Sequence, residues 1–262
     1  MTPTIHPELQ ALMHHLTPEA RAQLEANLLA DGVRDPLVVW QEEGVLLDGH
    51  NRLQVCTQHD LPYSVYEISL PSLNAAKLWV LANQLGRRNN TPEQTSYYLG
   101  KQYQLQKQMG FKGNQHTRAD GNGYQKQTAA QGLAAQHKVA EKTIRNHDAY
   151  AKAIDTLSDT IDPAIGPAVL AREITLTQQD VRTLAKIAET DTWTTRHALD
   201  RVKHASTPKQ VRAVVREAAR EARQHQQELQ KVADSHITGE IPEADWPERI
   251  KRKYLKVARK WP

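Results

Sequence analysis

The sequence predicts an α+β module of about 90 residues, then an all-α helix-turn-helix domain and a helical C-terminal region. Three observations predict it. Strand signals are confined to the first third of the 262-residue chain. After residue 71 the apolar spacing is helical almost throughout. The charge also changes sign along the chain: residues 1–100 hold six Lys and Arg against eleven Asp and Glu, whereas the remainder carries the excess of base behind the overall +4. Such a split suits an acidic front module joined to a part that meets a polyanion.

Composition narrows the class further. Hydrophobic residues make up 39% and Phe occurs once, so the cores are small and aliphatic. A membrane span needs roughly 20 consecutive apolar residues, and the longest runs here are a few residues, with no secretory h-region after the N-terminus. The single cysteine, Cys56, excludes an internal disulfide framework and a multi-cysteine metal site. A soluble, cytoplasmic protein without a membrane partner is expected.

The elements follow in order. Thr17-Pro18-Glu19 starts a helix that Leu24, Leu28 and Leu29 continue to Asp31-Gly32. Pro36 to Trp40 and Gly44 to Leu47 are β-prone runs separated by Gln41-Glu42-Glu43, which reads as a hairpin. Asn51 to Gln58 has helical spacing, and Tyr63 to Ile68 alternates as a third strand after Pro62. Helices are predicted from Ser72 to Gln84 and, behind a Thr91 cap, from Pro92 to about Met109. Residues 110–123 hold four of the 12 glycines, so 110–127 is expected to be a mobile linker. Helices resume at Thr128, with breaks expected at Asp162-Pro163, Gly166-Pro167, Thr207-Pro208 and Gly239 to Pro242. The predicted division is 1–90, a connecting helix 91–109, the linker 110–127, a helix-turn-helix domain 128–190 and a helical, basic region 191–262.

The most informative local pattern is Thr128 to Asn146. Leu133 and Ala134 point inward from a first helix, His137-Lys138 makes a tight turn, and Val139 plugs it. A second helix then turns Ile144 inward and presents Glu141, Lys142, Thr143, Arg145, Asn146 and His147 outward. This spacing suits a helix laid in the DNA major groove, with Arg145 and Asn146 able to bridge guanine and adenine while Lys142 and Thr143 hold phosphates. The turn ordinarily takes a residue tolerant of positive φ, often Gly, and Lys138 stands nearest that place.

A second pattern is the turn Asp48-Gly49-His50-Asn51-Arg52, between a buried strand and a helix start. It points backbone N–H groups at one spot with Arg52 in the first helical turn, which suits phosphate. Asp48 could orient a cation or hydroxyl, and His50 could donate to phosphate. Arg87-Arg88 beside Asn89-Asn90 are further candidates for a nucleotide or DNA backbone. His14-His15 lacks a third ligand at metal spacing, and no metal site is expected. Residues 202–232 read as a surface or partner helix, and Arg249 to Lys260 form a basic tail interleaved with Tyr254, with Trp246 and Trp261 at its flanks.

The strand pair, the turn at 48–52 and the later Asn83 to Glu93 together resemble the ParB N-terminal (ParB/sulfiredoxin-like) superfamily, nearest its plasmid and phage type, over roughly residues 5–190. The resemblance implies a pocket for CTP or another nucleotide with Mg²⁺, followed by a helix-turn-helix. Gly49 and Arg52 match the turn's phosphate-binding positions, and Asn83 with Arg87 or Arg88 match the second segment. Asp48, His50 and Asn51 complete the nucleotide-binding candidates. The chain departs from the pattern where His50-Asn51 replaces Glu-Arg and Ala82 replaces Glu. Sulfiredoxins place their Cys at the position of His50, so their chemistry is not expected. The free-serine kinase branch shares the Asp-Gly-His-x-Arg form, which would make Asp48 the catalytic residue of a phosphoryl-handling enzyme with a DNA-binding appendage. The first expectation is a dimeric protein on double-stranded DNA, serving plasmid partition (beside a ParA-like ATPase), replication control or transcriptional regulation.

Overall fold

The computed structural model describes residues 2–13, 16–110 and 128–238, the last seven by backbone only. His14-His15, most of the Gly-rich stretch and the basic tail lie outside the described residues. The chain divides into two compact units, Met1–Asp155 with Pro163–Glu173, and Thr156–Asp162 with Ile174–Pro262.

The first unit opens with a short helix, α1 (Pro7–Gln10), which the sequence reading did not foresee. Helix α2 (Pro18–Asp31) begins as its punctuation demands: Thr17 accepts from the Ala20 N–H, Pro18 occupies the first turn, and Gly32 at φ 74° ends it. Strands β1 (Leu37–Trp40) and β2 (Val45–Asp48) form the hairpin, closed by a turn whose last residue is Gly44 at φ 62°. Their register shifts between Val38 and Val39, so β2 carries an extra residue just before Asp48. Helix α3 (His50–His59) starts directly behind Gly49, and β3 (Val65–Ile68) returns parallel to β1. The strand order is β2-β1-β3. Thr4 bridges the outer edge of β2, donating to the Gly44 carbonyl and accepting from the Leu46 N–H. The alternation at 63–68 predicts a half-buried strand, but Val65, Tyr66 and Glu67 are exposed because β3 is an open edge.

Both faces of this small sheet are covered. Leu37, Val39 and Leu46 meet Leu53 of α3 on one side. Trp40, Val45 and Leu47 meet Leu9, Leu12 and the helices α4 (Leu73–Leu85) and α5 (Pro92–Gln108) on the other. Ser72 caps α4, and Thr91 with Gln94 forms a reciprocal capping box on α5. Helix α6 (Ala129–His137) carries its own box, Thr128 with Gln131. Helix α7 (Glu141–Thr160) crosses α5 at Gly100: a methyl there would overlap the His147 carbonyl oxygen and stand 2.7 Å from Ala151 Cβ. Only glycine permits so close a crossing.

Helix α8 (Ile165–Leu170) corrects the break expected at Gly166-Pro167. Pro167 sits in the first turn, where its missing N–H removes no intrahelical bond. After α8, Arg172 (φ 64°) closes on the first turn of α5, donating from Nε to Glu93 Oε2 at 2.6 Å. In the second unit α9 (Gln178–Ala188), α10 (Thr192–Lys203) and α11 (Pro208–Thr238) pack together around Val181, Leu184, Leu199, Val202, Val211 and Val215. The described residues are thus mostly helical with one three-stranded sheet.

Candidate anion site and nucleic-acid interface

The turn between β2 and α3 is set by Gly49, at φ 99° and ψ 20°, a left-handed conformation costly for any residue with a side chain. A methyl at Gly49 would stand 2.5 Å from Leu37 Cδ2, so packing as well as φ requires glycine. No side chain caps α3, which leaves its first amides aimed outward at the turn.

Around this turn the structure joins two segments 39 residues apart in sequence. Arg52 Nη2 donates to Asp48 Oδ2 at 2.9 Å, and Arg87 Nη2 donates to Asp48 Oδ1 at 2.7 Å. Arg52 Nη1 also donates to the carbonyls of Asp35 (2.7 Å) and Pro36 (3.2 Å), locking the guanidinium to the start of β1. One carboxylate therefore holds two guanidinium groups, and the cluster keeps a net positive charge. Asp48 and Arg52 are largely buried, whereas Arg87 is 40% exposed at its side chain. His50 adds an unsatisfied group: both ring nitrogens are buried without a hydrogen-bond partner. Burial pushes its pKa below the ordinary value, the Asp48 charge pulls it up, and Arg87 pushes it down again. Tyr98, buried beneath, has its phenol pushed upward by burial, with Arg87 opposing.

Of the sequence-predicted candidates, Asp48, Gly49, His50, Arg52 and Arg87 come together. Arg88 is exposed, and Asn51 and Asn83 are half-buried. The pairing of Asp48 with both arginines was missed, because two arginines within reach of a lone carboxylate leave no local sequence signal when one lies in the distant loop between α4 and α5. A guanidinium cluster with a net positive charge, a glycine cradle and an orphaned buried imidazole fits a phosphate group. Among the described residues, no three His, Cys, Asp or Glu converge as metal ligands.

The second candidate surface is α6, its turn and α7. Leu133, Ala134, Ala130 and Ile144 form the core of the pair, with Val139 and Tyr103 packed on it. Lys138 sits at φ 54°, ψ 42°; behind it the Val139 N–H closes on the Ala134 carbonyl at 3.0 Å. That is a Schellman closure with lysine where glycine is usual. Lys142, Arg145 and Asn146 are exposed, and Arg145 Nη2 rests on Glu141 Oε2 at 2.8 Å. Thr143 is half-buried. His147 departs from the expected outward placement: its carbonyl lies against Gly100, and its Nδ1 is buried without a partner. Burial, and then His137, lower its pKa. A helix with α5 crossing tightly on one side cannot expose that position.

A mostly helical chain with a small sheet, an arginine-carboxylate cluster and a tightly turned helix pair is the class these features define. The solved structures include a similar chain described as a Pnob8-like ParB-N domain, 14% identical, with a TM-score of 0.45, covering 86% of this chain and 93% of that one. No protein-family model and no curated protein matches the sequence.

Proposed function

We propose that this chain is a ParB-like protein that binds double-stranded DNA as a homodimer through α7 and takes a nucleotide phosphate at the turn behind β2. The observation that carries the reading is the α6–α7 pair: its apolar seam is closed by a left-handed Lys138, and Lys142, Arg145 and Asn146 are exposed at the start of the second helix, Arg145 resting on Glu141. Those side chains have the reach and chemistry to meet phosphate and base edges in a major groove. Two copies would read two half-sites, and the role would lie in partition (with a ParA-like ATPase), replication control or regulation of transcription.

At the turn, the α3 amides, Arg52, Arg87 and His50 would hold the phosphates of CTP or another nucleotide. Mg²⁺ would arrive with the nucleotide, since Asp48 already gives both oxygens to guanidinium groups. The same engagement weighs against Asp48 as the general base of a kinase, because a base must be free to take the substrate proton.

The test is selection of bound duplexes from a random pool, with and without CTP. A palindromic winner is expected, and Arg145→Ala with Asn146→Ala should weaken it by roughly 1–3 kcal/mol per lost base contact. Unaltered site preference in that variant would remove α7 as the reading helix. Arg87→Gln should weaken CTP binding by calorimetry while leaving the CTP-free duplex affinity unchanged.

A further inference from the structure

The second unit carries a charge pattern that neither the anion site nor α7 uses. On α11, Lys209, Arg212, Arg216, Arg220 and Arg223 follow at steps of three or four residues, and all five are exposed. At 100° per residue they fall in one stripe about 80° wide, running some 21 Å along the helix. Among the described residues none of the five has an ion pair. Acidic partners exist on the same helix, but they occupy the neighbouring row: Glu217 binds Arg201 of α10 at 2.6 Å, and Glu221 also pulls on Arg201. Like charges at these spacings repel each other, and Lys209 opposes the positive end of the helix dipole. The stripe therefore costs stability, which the charge of Glu217 near Arg220 offsets only in part.

We propose that this stripe is a rail for the phosphate backbone of double-stranded DNA, separate from α7 and indifferent to sequence. The proposal rests on the DNA-binding reading above. Cations rise about 5 Å apart along the helix, and flexible Arg and Lys side chains can adjust that spacing to successive phosphates of one strand. A lipid surface fits less well. Membrane-lying helices bury an apolar face in the bilayer, and the apolar face of α11 (Val211, Val214, Val215, Ala218) is already buried, opposite the stripe.

The experiment measures full-length protein on a random-sequence duplex across a salt series, and on phosphatidylserine vesicles. Arg212→Gln/Arg216→Gln/Arg220→Gln keeps exposed, helix-favouring side chains, and circular dichroism checks its helicity. Each lost phosphate contact removes about 0.9 from the slope of log affinity against log salt. The triple variant should therefore flatten the slope by roughly 2.7 and bind on the order of 10²-fold more weakly at 0.1 M salt, with its preference between specific and random duplex unchanged. An unchanged slope in the variant, with the wild type still binding duplex, overturns the rail and leaves the role of α7 intact. Loss of vesicle binding with the duplex slope unaltered assigns the stripe to lipid and also overturns it. A wild type that binds no duplex removes both readings together.

Discussion

Replacing Gly100 by alanine tests how closely α5 and α7 cross. The added methyl would stand 2.7 Å from Ala151 Cβ and overlap the His147 carbonyl oxygen, both on α7. Carbon atoms rest near 3.5–4.0 Å, so the helices must separate by about 1 Å. Neither neighbour is the end of a flexible chain, which places the overpacking near the upper end of the ~1–3 kcal/mol range. Alanine gains about 1 kcal/mol over glycine as a helix former, leaving a net loss of about 2 kcal/mol. For a protein of this size that is roughly 4–8 °C in Tm, read by far-ultraviolet circular dichroism. Gly132 supplies the opposite case, since a methyl there meets nothing within 4 Å and its helix α6 is otherwise regular. Gly132→Ala should raise Tm by a few degrees, the propensity gain of about 1 kcal/mol alone. A Gly100→Ala protein as stable as wild type would refute the crossing.

Two further outcomes follow from the anion site and the buried imidazoles. Gly49→Ala combines a left-handed backbone, worth about 1–2 kcal/mol, with a methyl 2.5 Å from Leu37 Cδ2. Denaturant unfolding should show a loss of roughly 2–4 kcal/mol, and calorimetry should show CTP binding abolished where the fold survives; retained binding would detach the turn from the nucleotide. Burial holds His50, His137 and His147 below their ordinary value of 6.5 when folded. The unfolded chain therefore binds more protons as pH falls below about 6.5, and stability must drop through that window toward the lower folded values. Tm should fall between pH 7.5 and 5.5, and His147→Asn should shrink that fall; a flat wild-type profile contradicts the buried, neutral placement.

Much of the fold was legible because chain punctuation is local. Thr17-Pro18, Ser72 and Thr91-Pro92 each mark a helix start, and each cap forms. Gly44 and Gly49 sit where φ turns positive, and the hairpin and α3 follow from them. What local reading missed is long-range. α1 is a four-residue helix whose Leu9 becomes fully buried only through partners far along the chain. The exposure of β3 depends on its place at the sheet edge, which its own alternation does not encode. His147 looked solvent-facing on the α7 periodicity, but Gly100 belongs to a different helix and brings α5 against it. The candidate site shows the same division: the Gly49 turn and the Arg87-Arg88 pair were readable from consecutive residues, whereas the contact of Arg87 with Asp48 arises only when the chain folds.

The Thr4 bridge has a consequence for synthesis. Residues 4–12 leave the ribosome before their partners: Thr4 hydrogen-bonds Gly44, 40 residues later, and Glu8 pairs with Lys77, 69 residues later. At about 5–20 residues per second, several seconds pass before these partners exist. During that interval Leu9 and Leu12 have nothing to cover them, and the sheet edge that Thr4 closes has not yet formed. The leading segment of this unit is thus made first and docked late, a window in which a chaperone would find its apolar residues exposed.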